Sequence, residues 1–394
     1  MEVKIQTLTP IWTGGIEAGK CDLIHETGLL GSLRWWMEVL VRGLGGVVCD
    51  PTAEKSQDRS SLDTQKFNAK KYRELQDEVE RRKYLRDAGL CDVSQIFGAT
   101  GWKRRFRLEV QEVQVSDATI QHPITASRSY LGMKRPPTWY FPDPTKKDVK
   151  PQPPNTPITG SFIIKIQSLN PDFKPEIIGG LIQFIADWSA LGARPQMGFG
   201  VIEIEGDRIN TQPLYNWLIA TNGSQLYPDI PALQNIFLAQ IQPKDLTSSF
   251  KEQDTFNLKY DLRKLFRTEN DPIQRKSAHK SLVLKKDSDK DLRHFIMGTV
   301  EDERMAAKIK ISRPYDNEKL IRVWGWIPEE AAVYKNGWDR EKIVNDIYKH
   351  LEAKYTLHIW REMNSTRDTK TPLISEAKLF LHSLLQLQEG NYAV

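Results

Sequence analysis

Leu191-Gly192-Ala193-Arg194-Pro195-Gln196-Met197-Gly198-Phe199-Gly200 is the stretch on which the fold turns. It follows an apolar run of helical period and leads into residues 201–204, which alternate like a strand. Its three glycines permit positive φ and close backbone approach. A glycine-rich turn with an arginine inside it is a common way to hold a phosphate backbone, through N–H groups and one cation. The same pattern also serves as a helix C-cap and tight turn. The loop alone does not choose between the two.

Working outward, the preceding helix starts near residue 175 and carries Ile178, Leu181, Ile182 and Ile185 on one stripe. Before it, residues 161–167 read as a strand with Phe162, Ile164 and Ile166 on one face. Residues 105–110 form another, with Phe106, Leu108 and Val110 opposite Arg105, Arg107 and Glu109. Leu30, Leu33, Met37, Leu40, Val41 and Leu44 follow the helical period, with Arg34, Glu38 and Arg42 spaced by four on the polar face. Residues 2–7 alternate around Val3 and Ile5, so the chain opens as a strand and not as a signal peptide. The order β-α-β-β-α-β is the ferredoxin-like arrangement, which RNA-recognition domains also use.

Two insertions interrupt this module. Residues 47–100 contain a charged helix over about 68–88, whose balanced signs suit a solvated face. Residues 116–159 are proline-rich and mix Arg128, Lys134 and Arg135 with Tyr130, Trp139, Tyr140 and Phe141. That mixture suits phosphate pairing with base stacking, and equally suits an exposed linker.

In the second half, residues 207–243 read as a connector with helical pieces, and 260–267 place Arg263, Lys264 and Arg267 among apolar residues. Residues 308–312 alternate Lys308 and Lys310 with Ile309 and Ile311, giving a strand with one basic face. Residues 320–327 are a further strand, and 339–355 and 373–388 are helix-like. The expected architecture is α+β: two tandem ferredoxin-like domains over 1–205 and 206–394, with long insertions.

At 394 residues, 27% charged and 39% hydrophobic, the composition is that of a soluble globular chain without a membrane span. Cys21, Cys49 and Cys91 form no CxxC pair, which fits a reducing cytoplasm without zinc or disulfides. A net charge of +5 makes clustering decisive for nucleic-acid binding. Lys103, Arg104, Arg105 and Arg107 are the densest cationic cluster, with Arg105 and Arg107 expected to share a strand face. Trp35 and Trp36 read as core or subunit contacts ahead of base-stacking groups. The histidines show no metal-ligand spacing, and no Walker loop or nucleophile elbow occurs. No cofactor is expected.

Four stretches resemble the RAMP superfamily of CRISPR proteins and, within it, the first-named subunit of the Cmr (type III-B) effector complex. They are Leu8-Thr9-Pro10-Ile11-Trp12-Thr13-Gly14-Gly15, Gly28-Leu29-Leu30-Gly31-Ser32-Leu33-Arg34-Trp35-Trp36, Ile96-Phe97-Gly98-Ala99-Thr100-Gly101-Trp102 with the basic run after it, and the 191–200 loop. In the second half His294-Phe295-Ile296-Met297-Gly298-Thr299, Ser312-Arg313-Pro314-Tyr315 and Val323-Trp324-Gly325-Trp326 extend the likeness. One departure is Pro195-Gln196-Met197, where relatives often carry more basic residues, so Arg194 is the loop's one cation. The resemblance implies a non-catalytic RNA-binding subunit near the 3′ part of the guide. Its partners would be guide (CRISPR) RNA, target RNA and other RAMP subunits. The candidate RNA-binding residues are Arg34, Arg42, Lys103, Arg104, Arg105, Arg107, Arg128, Lys134, Arg135, Gly192, Arg194, Gly198, Gly200, Lys308, Lys310 and Arg313. Two alternatives stand beside it: an endoribonuclease of the same superfamily using His25, and a subunit that only docks proteins.

Overall fold

The computed structural model describes residues 1–17, 19–49, 60–120, 124–128, 133–135, 137, 156–221, 223–266, 289–299, 305–331, 338–370 and 373–387. Much of the proline-rich stretch, with Tyr130, Trp139, Tyr140 and Phe141, lies outside them, as does Arg267.

The first module runs β1 (Glu2–Thr7), α1 (Glu26–Gly43), an inserted trio α2 (Ala69–Glu74), α3 (Glu78–Asp87) and α4 (Asp92–Phe97), then β2 (Phe106–Asp117). A small hairpin follows, β3 (Ala126–Arg128) and β4 (Met133–Arg135), and then β5 (Ile158–Ser168), α5 (Glu176–Trp188) and β6 (Ile202–Ile204). The sheet order β2-β5-β1-β6, antiparallel throughout, is that of a ferredoxin-like module. Val3 and Ile5 on β1 and Phe162, Ile164 and Ile166 on β5 join the core with the apolar stripes of α1 and α5. The single charged helix expected over 68–88 is broken at Leu75, whose extended backbone ends α2.

The second module runs α6 (Gln212–Ile219), β7 (Ile236–Pro243), α7 (Glu252–Leu265), α8 (Asp289–Met297), β8 (Ile309–Ile311), β9 (Ile321–Trp326), α9 (Arg340–Lys354), β10 (Tyr355–Arg361) and α10 (Ala377–Leu384). Its sheet order, β10-β7-β9-β8, repeats the first. The fold is thus α+β with two ferredoxin-like sheets.

The two modules share a core, because β7 is buried on both faces. Phe237, Ala239 and Ile241 enter the second core, while Ile236 and Leu238 enter the first. The back face of the second sheet therefore packs on the first module, and Trp324 of β9 lies in the same core. The outer helices tighten the junction: α6 packs on α5, and the Leu384 carbonyl on α10 accepts from Trp188 Nε1 at 2.8 Å. Arg322 crosses the junction to donate to the Ser189 carbonyl at 3.0 Å.

The insertion is pinned by charge. Asp92 is fully buried, and its carboxylate accepts from Arg86 Nε at 2.9 Å, Arg82 Nη2 at 3.4 Å and the Val47 N–H at 2.8 Å. Arg82 stacks 4.0 Å from the Trp217 ring centroid, tying α3 to α6.

Candidate nucleic-acid interface

The glycine-rich loop sits between the modules, and its geometry explains its composition. Gly192, at φ +89°, lies where a side chain would meet the Trp12 carbonyl at 2.6 Å, and the neighbouring Ala193 N–H donates to that carbonyl at 2.7 Å. Gly198, at φ +87°, faces the Arg313 backbone, whose N–H donates to the Gly198 carbonyl at 3.0 Å. The N–H of Gly200 donates to the Pro10 carbonyl at 2.8 Å, and that of Gly198 to the Pro195 carbonyl at 3.0 Å. Both residues are buried. The expectation that Gly198 and Gly200 cradle a phosphate is corrected here: their N–H groups are engaged inside the protein. The glycines are needed for close packing and left-handed backbone.

The loop has a second use. Its 3-10 turn, Pro195–Met197, lies against β8, the edge strand of the second sheet. An uncovered edge is a site for unwanted strand pairing, and a loop laid across it removes that hazard.

Around this turn cations and aromatic rings alternate. Arg194 lies 3.9 Å from the Trp12 ring centroid, and Trp12 in turn stacks on Phe199 with centroids 6.2 Å apart. Arg313 lies 4.8 Å from the Phe199 ring. Lys308 Nζ is 3.4 Å from the Phe295 ring centroid and 5.1 Å from that of Trp326. Lys310 Nζ is 5.6 Å from the Trp35 ring of α1, in the other module. Lys259 of α7 donates to the Gln196 carbonyl at 3.0 Å. Ile309 and Ile311 point into the second core, so Lys308 and Lys310 project together from the opposite face.

Burial depresses the lysines. It brings Lys310 down to about 7, with the charges of Lys308 and Lys259 adding to the effect. Burial likewise brings Lys308 to about 8, and Lys259 to about 8 with help from Arg263. Among the described residues, no carboxylate pairs with Lys308 or Lys310. Burial also lowers Arg194.

The remaining candidates divide by environment. Arg42 is buried, donating to Glu38 at 3.1 Å and to the Pro231 carbonyl at 3.1 Å. Arg34 is held by Glu38 at 3.0 Å, the Gly98 carbonyl at 3.2 Å and Ser94 at 3.1 Å. Arg105 precedes β2, is 5% exposed, and donates to the Tyr72 hydroxyl at 2.5 Å beneath the insertion. It does not share an open face with Arg107, because the inserted helices cover it and leave Arg107 exposed. Arg42 and Arg105 are corrected from phosphate ligands to buried structural groups, and Arg34 is largely engaged within the fold. Lys103 and Lys134 are exposed, Arg107 is exposed beside Glu109 at 2.9 Å, and Arg104 lies 5.2 Å from the Phe106 ring. The side chains of Arg128 and Arg135 lie outside the described residues. Arg313 is 2% exposed, with Glu252 3.8 Å away.

His25 precedes α1. Its ring is 2.9 Å from Asp22, and its backbone N–H donates to Thr13 at 2.9 Å, which orders the entry to the helix. Among the described residues, no group of three or more His, Cys, Asp or Glu side chains is placed to hold a metal ion, and no helix is long and apolar enough to cross a membrane.

Lys259 was missed from sequence. Its signal was the spacing of four from Arg263 on one helix face. Trp35 as a neighbour of Lys310 left no signal, since it depends on how the modules pack.

No curated protein matches this chain. Among solved structures, it is similar to Cmr1 from Pyrococcus furiosus in its apo crystal structure (13% identity, covering 89% of this chain and 96% of that one, TM-score 0.39). It is likewise similar to a chain of the Type III-B Cmr-beta bound to cognate target RNA and AMPPnP in the presence of ssDNA (12% identity, 89% and 99% covered, TM-score 0.39). The model of the RAMP superfamily matches residues 4–203, from β1 through the glycine-rich loop to β6. That match spans the first ferredoxin-like sheet and the loop that closes it, and on it the chain belongs to the RAMP superfamily.

Proposed function

We propose that the chain is a non-catalytic RNA-binding subunit of a type III-B CRISPR effector complex. It holds guide and target RNA by the backbone, near the 3′ part of the guide, beside other RAMP subunits. The supporting observation is the junction where Arg194, Lys259, Lys308, Lys310 and Arg313 meet Trp12, Trp35, Phe199 and Trp326 across two modules. Ammonium and guanidinium groups neutralise phosphates; of the rings, Trp35 and Trp326 are half-buried, while Trp12 and Phe199 are buried and back the cations from inside. Lys103, Arg107 and Lys134 are further exposed cations of the first module. Base pairing between guide and target supplies sequence selection, so the subunit needs only shape and charge.

Fluorescence anisotropy of the full chain with single-stranded RNA tests this. Each phosphate neutralised adds roughly 0.7 to the salt slope, so four or five contacts give a slope of about −3. An affinity unchanged between low and high salt would refute the reading. His25 held by Asp22 motivates a metal-free cleavage assay on the same RNA; product lost in His25→Ala would replace the proposal with an endoribonuclease.

A further inference from the structure

We propose that Cys49 and Cys91 are a thiol pair that closes reversibly to a disulfide by exchange with a low-molecular-weight disulfide, and that the closed form clasps the inserted helices onto the first module. The inference is independent of the RNA-binding reading.

Backbone geometry brings the two cysteines together. The Asp92 N–H donates to the Val47 carbonyl at 2.9 Å, and the Val47 N–H to the Asp92 carboxylate at 2.8 Å, so the chain leaving α1 runs beside the start of α4. Next to these bonds the Cys49 and Cys91 thiols are hydrogen-bonded to each other, and each sulfur also accepts from the other's backbone N–H. Ser60 closes the group: its hydroxyl accepts from the Cys91 N–H at 3.1 Å and bonds the Cys49 sulfur. Cys91 Sγ lies 3.2 Å from Ser94 Oγ. Both thiols are free. Their side chains point at each other, so closing the bond needs side-chain rotation and no large backbone shift. Cys21 stands apart, fully buried with its sulfur bonded to Thr13 and Leu23.

The two sulfurs differ in access and in charge. Cys49 is half-buried, whereas Cys91 is 1% exposed, so a small disulfide meets Cys49 first. The bond from the Cys49 thiol, ahead of that from Ser94, holds Cys91 down to about 5, while the same contact, with burial, keeps Cys49 protonated. A thiolate beside a thiol acts as its base. Cys49 attacks one sulfur of the small disulfide as its proton passes to Cys91; that S–S bond breaks and one thiolate leaves. Cys91 then gives the proton to the departed thiolate and attacks the Cys49 sulfur, and the second small thiolate leaves. Two protein sulfurs are oxidised, and the small disulfide is reduced to one thiol and one thiolate.

The bond encloses α2 and α3, which carry the Tyr72 and Glu78 side chains that cover Arg105. Asp92, next to Cys91, already ties α3 down through Arg82 and Arg86. A cross-link at the same place adds to that hold, chiefly by restricting the unfolded chain. A disulfide made and broken by exchange is the kind that a reducing compartment permits.

The test incubates the reduced full chain with oxidised glutathione, quenches in acid, alkylates free thiols in denaturant and maps peptides without reductant. Cys49 should be joined to Cys91, with Cys21 alkylated and no glutathione retained, and dithiothreitol should restore all three thiols. Cys91→Ser should instead accumulate glutathione on Cys49, because the second attack is lost. Cys49→Ser should take up none, because Cys91 is sealed from solvent. The oxidised wild type should melt about 3–8 °C higher than the reduced, with slower proteolytic cleavage within residues 60–90. Neither change should appear in Cys49→Ser treated alike. Three free thiols after treatment, or a lasting glutathione adduct on wild-type Cys49, overturns the pair. A Cys49–Cys91 bond that leaves melting and cleavage unchanged overturns the clasp.

Discussion

Replacing Gly198 with alanine tests whether the glycine-rich loop is a packing device. At φ +87° any residue with a Cβ is strained, by about 1–2 kcal/mol. The added carbon would also lie 2.8 Å from the Arg313 backbone nitrogen and 2.9 Å from Arg313 Cγ. A backbone atom does not swing aside like a side-chain tip, so this adds an overpacking cost of about 1–3 kcal/mol. Reduced freedom in the unfolded chain returns ~0.5 kcal/mol. The expected loss is therefore about 2–4 kcal/mol. Gly206 is the internal control: its φ is +93°, yet nothing lies within 4 Å of a Cβ there. Gly206→Ala carries the backbone strain alone, about 1 kcal/mol. Urea unfolding followed by tryptophan fluorescence should separate the two variants, with amide exchange at β8 faster only in Gly198→Ala. Equal losses in both variants would refute the packing role and return the loop to a ligand-facing one.

Two further outcomes bear on the junction and the insertion. The depressed lysines make RNA-free stability depend on pH: their folded values, about 7–8, lie below the ordinary 10.5, so the unfolded chain binds more protons between them and stability rises with pH over about 7 to 10. Lys310→Met should then stabilise the free protein by ~2 kcal/mol at pH 7, after allowance for solvent, with the gain fading by pH 10; a destabilised variant at pH 7 in thermal denaturation would count against buried, uncompensated charge. Asp92→Ala leaves Arg82 and Arg86 without their buried carboxylate and should cost about 3–5 kcal/mol, with early proteolysis in α2–α4; a loss under about 1 kcal/mol would show the network to be dispensable.

The first module was legible because its strands alternate and its helices carry clean stripes. β1, β2 and β5 each bury one face, so Val3, Ile5, Phe162 and Ile164 advertise their geometry. The second module hid two of its strands. β7 reads Ile236-Phe237-Leu238-Ala239 without alternation, because both of its faces are buried, so the pattern does not separate it from the connector. β10 begins at Tyr355 directly after Lys354 ends α9, with no glycine or proline to mark the change. Arg105 misled for a different reason: local alternation put it beside Arg107, but Glu78 and Tyr72 of the inserted helices, 27 and 33 residues upstream, close over it. Lys308 and Lys310 were legible as one basic face, while the module that packs against that face was not.

A functional consequence follows from the shared position of loop and lysines. The turn that ends the first module lies on β8, and the Gly198 carbonyl fixes the backbone just beyond it through Arg313. Lys310 lies on the same strand with Lys308 just before it, and Lys259 reaches the Gln196 carbonyl within the same turn. Shifting the loop therefore moves the lysines that touch it, although the N–H groups of Gly198 and Gly200 are engaged inside the protein. In the proposed reading, glycine substitutions lower RNA affinity in step with lost stability, whereas lysine substitutions lower affinity as the free protein becomes more stable. The opposite signs arise because the glycines relieve strain between backbones, while burial makes the charges of Lys308 and Lys310 costly in the free protein. Variants that weakened binding and stability together at both sets of positions would mean that the lysines, too, serve packing alone.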